Sequence, residues 1–120
     1  MTDSNEISVL VVDDEAPNID SLRRIFEREG FSVLTATSGQ KALDLSRQHE
    51  VHVVVSDLMM PGMSGIELVK ALKTVVPDAA VVLMTAFGTV EKAVEAMRAG
   101  AYDFVEKPLK RAQMIKTVRK

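Results

Sequence analysis

Four stretches of this chain end on residues able to do chemistry. The paired carboxylates Asp13-Asp14, the carboxylate Asp57 and the hydroxyl of Thr85 each end a short apolar run, and the amine of Lys107 comes just after a fifth strand-like stretch, Ala101 to Val105. In a sheet of parallel strands, residues just past the carboxyl ends share one crevice, so these groups are expected to converge. Two carboxylates about 4 Å apart repel by roughly 4 kcal/mol at an effective dielectric near 20, so three together call for a cation. Three negative charges against one lysine leave two unbalanced, which one divalent cation neutralises. Hard oxygen donors with room for water suit Mg²⁺. A carboxylate beside such a metal can act as a nucleophile toward a phosphoryl group, and Asp57 is assigned that role. Lys107 and the Thr85 hydroxyl would hold the phosphoryl oxygens while Asp13 and Asp14 serve the cation, because phosphoryl transfer is mainly positioning plus charge stabilisation.

The elements that must position these groups are legible as alternating patterns. Val9 to Val12, His52 to Ser56 and Ala79 to Met84 are apolar runs rich in β-branched residues, as expected of strands buried on both faces. Phe31 to Leu34 is less continuously apolar and reads as an edge strand, and Ala101 to Val105 supplies a fifth. Helical patterns lie between them. Pro17 suits a first helical turn, Ile19, Leu22 and Phe26 share one face, and Gly30 closes that helix. Thr37-Ser38-Gly39-Gln40 reads as a capping box opening a helix with Ala42, Leu43 and Leu45. Ser64-Gly65-Ile66-Glu67 reads as another, ahead of Leu68, Val69, Leu72, Val75 and Val76, with Pro77 as the stop. Val90, Ala93, Val94 and Met97 form a stripe expected to be core in part, closed by Gly100. Leu109, Ala112, Ile115 and Val118 make a weaker fifth helix. Five such βα units imply a doubly wound, flavodoxin-like parallel sheet of order 2-1-3-4-5 flanked by five helices. Strands 1 and 3 are then neighbours, which brings Asp13, Asp14 and Asp57 together.

Composition narrows the function classes. At 120 residues the chain fits one domain, residues 1–120. A net charge of −2 argues against direct nucleic-acid binding, and the absence of cysteine excludes disulfides and thiolate chemistry. The first six residues are polar and acidic rather than a signal peptide, and no stretch approaches the about 20 apolar residues of a membrane span, so no membrane association and a cytoplasmic location are expected.

From about Ile7 to the last helix the chain resembles the receiver domain of bacterial two-component response regulators. The carriers are Val11-Val12-Asp13-Asp14-Glu15, Asp57-Leu58-Met59-Met60-Pro61-Gly62-Met63-Ser64-Gly65, Thr85-Ala86 and Lys107-Pro108. The resemblance implies that Asp57 accepts a phosphoryl group from a phosphohistidine on a sensor histidine kinase. It implies that Asp14, Asp57 and the Met59 carbonyl ligate Mg²⁺ directly, with Asp13 acting mostly through water. It further implies that Thr85 turns toward the phosphoryl group, that Phe104 swings inward behind it, and that the Lys107-Pro108 bond is cis. Thr85 to Glu91 and Gly100 to Phe104 look like the subgroup attached to sigma-54-dependent, nitrogen-regulatory activators. Such receivers precede an ATPase domain and a DNA-binding domain, so the chain reads as one excised module that forms a homodimer on phosphorylation.

Plainer readings compete at several positions. Asp13-Asp14 alone is more often a solvated helix entry, and Thr85 and Lys107 alone are a turn hydroxyl and a solvent-facing amine; their joint placement makes them functional. Tyr102 reads as packing, His49 and His52 as solvated or capping residues, and Met59, Met60 and Met63 as adaptable packing. The positions two after Asp57 and two after Thr85 are Met59 and Phe87, which offer no acid or amide to orient a hydrolytic water, so slow loss of phosphate is expected. A phosphatase or phosphotransferase would need a second acid near the nucleophile, where Leu58, Met59 and Met60 stand. A flavin or nucleotide binder would meet repulsion from Asp13-Asp14-Glu15.

Overall fold

The computed structural model describes residues 7–60, 62–85 and 90–106. Its elements run β1 (Ser8–Val12), α1 (Ala16–Arg28), β2 (Ser32–Ala36), α2 (Gly39–Gln48), β3 (Val53–Asp57), α3 (Gly65–Val75), β4 (Ala80–Thr85), α4 (Val90–Ala99) and β5 (Asp103–Glu106). The strands form one parallel sheet in the order β2-β1-β3-β4-β5, the order expected for five βα units of this kind. Four helices lie among the described residues; the fifth, with Leu109, Ala112, Ile115 and Val118, lies outside them, as do Phe87, Lys107 and Pro108.

Strand periodicity splits the interior into two layers. Leu10, Val12, Val54, Val81 and Leu83 face one side of the sheet, where α2, α3 and α4 contribute Leu43, Leu68, Leu72 and Ala96. Val9, Val11, Val55, Val82 and Met84 face the other, against Ile19, Leu22 and Phe26 of α1. Alternating side chains of one strand thus serve opposite layers. The three central strands are almost wholly buried, while β2 is only partly buried until Ala36, consistent with its edge position.

Helix ends follow their local chemistry. Pro17 sits within the first two positions of α1, where its missing N–H leaves no intrahelical bond unmade. Gly30 and Gly100 follow α1 and α4 with φ of 87° and 113°, and the residue after each donates back to the carbonyls of Phe26 and Ala96. At α3 the Ser64–Glu67 capping box forms in both directions. At α2 the cap is Ser38, whose hydroxyl accepts the Lys41 N–H, and not Thr37. The helix begins one residue later than the Thr37–Gln40 spacing indicated, because Thr37 still follows the exit of β2.

The stripe on α4 is core only in part, as expected: Ala96 is fully buried and Ala93 half-buried, whereas Val94 and Met97 are 44% and 48% exposed. Small alanines let α4 lie close, and the larger side chains are turned away from the sheet. Tyr102, read as packing, is 46% exposed. His52 bears out its plain reading. Its Nδ1 accepts the Ser8 backbone N–H at 2.9 Å, extending the β1–β3 pairing at the end of the sheet opposite Asp57.

Candidate functional site

Register fixes the site. Val12 of β1 pairs with Ser56 of β3, so the next residue on each strand, Asp13 and Asp57, leaves the sheet beside the other. Asp57 pairs in turn with Met84 of β4, which puts Thr85 one residue beyond it on the neighbouring strand. Asp13 is held by its backbone N–H to the Ala36 carbonyl at 3.1 Å, and Leu58 by its N–H to the Met84 carbonyl at 2.8 Å. The chain therefore enters and leaves the site on extensions of the sheet's own hydrogen bonding.

The three carboxylates come together as the spacing required. Asp13, Asp14 and Asp57 each offer an oxygen, and these oxygens lie within 4.8 Å of one another. Asp13 is fully buried and Asp57 only 8% exposed, while Asp14 faces solvent, so the cluster is a shallow acidic well with an open side. One oxygen of Asp13 accepts the Glu15 N–H at 3.0 Å, which fixes the turn into α1. One oxygen of Asp57 accepts the Met59 N–H at 3.3 Å. A set of hard oxygen donors, partly buried and with room for water, fits Mg²⁺ better than a softer metal.

The other assigned residues are placed as follows. Thr85 is buried at the end of β4. Phe104 lies on β5, paired with Leu83 and packed half-buried against the α2–α4 layer. Met59 follows Asp57 with its side chain 70% exposed. Glu106, which pairs with Thr85, ends β5, so the chain passes from beside Thr85 into Lys107, itself outside the described residues.

Two features of the site were not read from the residues alone. The Asp13–Glu15 turn carries a signal that could have found it, an Asp whose oxygen reaches the N–H two residues on. The seat that Gly39 and Gly65 make for the loop after Asp57 carries no such signal, since only packing shows what approaches a glycine.

Comparison with known proteins agrees with this geometry. The sequence signature of the family described as response regulator receiver domain matches residues 9–119. The transcriptional regulatory protein ZraR of Escherichia coli K12 is 39% identical over 109 residues, which are 91% of this chain and 24% of that protein. The chain thus spans about a quarter of that relative's length. Among solved structures, the beryllofluoride-activated NtrC4 receiver domain dimer is 36% identical with a TM-score of 0.88, covering 93% of both chains. A CheX-CheY-BeF₃-Mg²⁺ complex from Borrelia burgdorferi is 31% identical with a TM-score of 0.88, covering 93% of this chain and 86% of that one.

Proposed function

This chain belongs to the response regulator receiver domain family of two-component signalling, and on that premise we propose that Asp57 accepts a phosphoryl group and that its arrival changes the surface around α4 and β5. The observation that carries the proposal is the convergence of Asp13, Asp14 and Asp57, with oxygens within 4.8 Å, at the point where β1 and β3 lie side by side. Receiver domains are signalling switches, and the partner of this one would be a sensor histidine kinase.

Asp14 and Asp57, with the Met59 carbonyl, would hold Mg²⁺ directly, and the buried Asp13 would act through water. Mg²⁺ supplies charge neutralisation at the phosphoryl oxygens when bound. One Asp57 oxygen attacks phosphorus; the bond to the kinase imidazole nitrogen breaks and the electron pair stays with that nitrogen. The neighbouring residues position and do not take part in bond changes. Thr85, one residue beyond Asp57's partner Met84, and Lys107, the next residue in the sequence after Glu106, would hold the transferred group's oxygens.

The phosphoryl group, carrying about −1.5 to −2 charge where the free carboxylate carried one, draws the Thr85 hydroxyl toward its oxygens. Phe104, half-buried on the adjoining strand, would fill the space Thr85 leaves. The readout surface would be the exposed apolar side chains Val94 and Met97 of α4 and Tyr102 before β5, suited to a homodimer on phosphorylation or to an output domain. In a longer protein, ATPase and DNA-binding domains would receive the signal and regulate transcription, the net charge of −2 here arguing against direct nucleic-acid binding. No helix among the described residues is long and apolar enough to cross a membrane, consistent with a cytoplasmic setting.

Incubation with Mg²⁺ and acetyl phosphate, followed by intact mass measurement, tests the proposal. A gain of one phosphoryl group is expected, absent without Mg²⁺ and absent in Asp57→Asn. Turnover of acetyl phosphate without accumulation would instead mark an enzyme, and no uptake at all would overturn the reading.

A further inference from the structure

We infer that Gly39 and Met63 form a clasp between the start of α2 and the loop after Asp57, and that this clasp positions the metal-facing part of the loop. The inference rests on the proposed function above, because the loop carries Met59, the residue whose carbonyl is assigned to the metal.

The loop is tied firmly at its base. Leu58 donates to the Met84 carbonyl and Gly65 donates to the Leu58 carbonyl, both at 2.8 Å, so the chain leaves β3 and returns to α3 at one point. Between these ties Met59 points outward, 70% exposed, and its side chain anchors nothing. Met63 is different. It packs half-buried against the α2–α4 layer, and a Cβ placed on Gly39 would stand 2.7 Å from its sulfur, 3.0 Å from its Cβ and 3.1 Å from its Cγ. The φ of Gly39 is not positive, so glycine is needed there for closeness of approach and not for backbone conformation. A Cβ at position 39 must displace the Met63 sulfur and press on its Cβ and Cγ, so the seat of Met63 against α2 is disturbed.

Residues that hold metal ligands in place without touching the metal typically account for about 10- to 100-fold in affinity. Met63 lies four residues from Met59 and acts through the chain, so both are positioning residues and the lower end of that range is expected. Gly39→Ala should weaken Mg²⁺ binding about tenfold while the thermal midpoint shows a folded protein. Met63→Ala, which empties the clasp without crowding it, should weaken binding by several-fold.

The decisive measurement is the cycle of Gly39→Ala, Met63→Ala and the double variant, with Mg²⁺ affinity read by titration calorimetry and stability by thermal unfolding. If the clasp is real, the double variant binds Mg²⁺ no more weakly than Gly39→Ala, because the crowding side chain has been removed. Losses that multiply in the double variant, or affinities equal to that of the unmodified chain in both single variants, would overturn the inference and leave the proposed function standing. Failure of the unmodified chain to bind Mg²⁺ or take up a phosphoryl group would overturn both. Because Met63→Ala creates no clash, it yields an answer even if Gly39→Ala does not fold.

Discussion

The Asp57 carboxylate accepts the backbone N–H of Met59 at 3.3 Å, while the Met59 side chain stands 70% exposed beside it. The backbone N–H of residue 59 is thus committed to the carboxylate proposed to accept the phosphoryl group, and its side chain is free to vary. That division makes the position a handle on what happens after phosphorylation and not on whether the site forms.

A slow loss of phosphate is therefore expected of the unmodified chain, with a half-life well beyond seconds. Met59→Glu would place an acid where a hydrolytic water approaches Asp57, and the exposed position makes it tolerable to the fold. It should speed dephosphorylation by about tenfold, below the roughly 10²- to 10⁴-fold of a fully positioned general base because the exposed side chain is not held in place. Intact mass measured over time after removal of acetyl phosphate would check it.

Removing one charge from the acidic well should have opposite effects with and without metal. In the presence of a chelator, Asp14→Asn relieves repulsion from Asp13 and Asp57 and should raise stability by about 1 kcal/mol, as for unit charges a few ångströms apart in a largely aqueous setting. In millimolar Mg²⁺ the unmodified chain should gain stability that the variant does not, because ligand binding to the folded state stabilises it in proportion to affinity. Paired denaturant titrations would show the crossover.

Thr85 is buried at the end of β4, so its role can be separated from that of Asp57. Thr85→Ala should still take up one phosphoryl group from acetyl phosphate. Its phosphorylation-driven shift toward dimer should shrink by roughly ten- to a hundredfold, the equivalent of one hydrogen bond to a charged group. Sedimentation of the phosphorylated and unphosphorylated forms would measure this.

Gly65 admits no side chain. A Cβ there would stand 2.7 Å from the Asp57 carbonyl oxygen and 2.8 Å from the Leu58 Cα, both backbone atoms that cannot rotate aside. Gly65→Ala should cost about 1–3 kcal/mol in denaturant unfolding, as overpacked positions do. It should also displace Asp57, so phosphoryl uptake should fall even at temperatures where the variant is folded.

The start of α3 should respond to pH through Glu67. The Ser64 backbone N–H holds the Glu67 carboxyl below its ordinary 4.5, with the Ser64 side chain and Lys70 adding to the effect. A value lowered by folding means that the unfolded chain binds more protons in this range. The contribution is therefore complete above pH 4.5 and is lost as pH falls through the lower folded value. Amide protection in the first turn of α3, corrected for the pH dependence of intrinsic exchange, should fall on acidification through this window, and Glu67→Ala, which removes the titrating group, should abolish that dependence.

Much of this molecule was legible in the residues because the signals are local. Val9 to Val12 and Val53 to Ser56 are unbroken apolar runs, so they had to be covered on both faces, and the carboxylates immediately after them had to emerge at one edge. The Ser64–Glu67 box and the glycines after α1 and α4 act within four residues of themselves and were equally readable. The face of α4 was not: Ala93, Val94, Ala96 and Met97 permit more than one rotation about the helix axis, and the sheet selected the one that buries Ala96. Nor could spacing show that Met63 lies on Gly39 or that Gly65 lies on Asp57, since each contact joins segments brought together by the packing of separate elements. Sequence alone determined which groups could meet, because strand and helix periods are properties of neighbouring residues. Tertiary structure decided how closely they meet, because close approach depends on the shapes of surfaces that are distant along the chain.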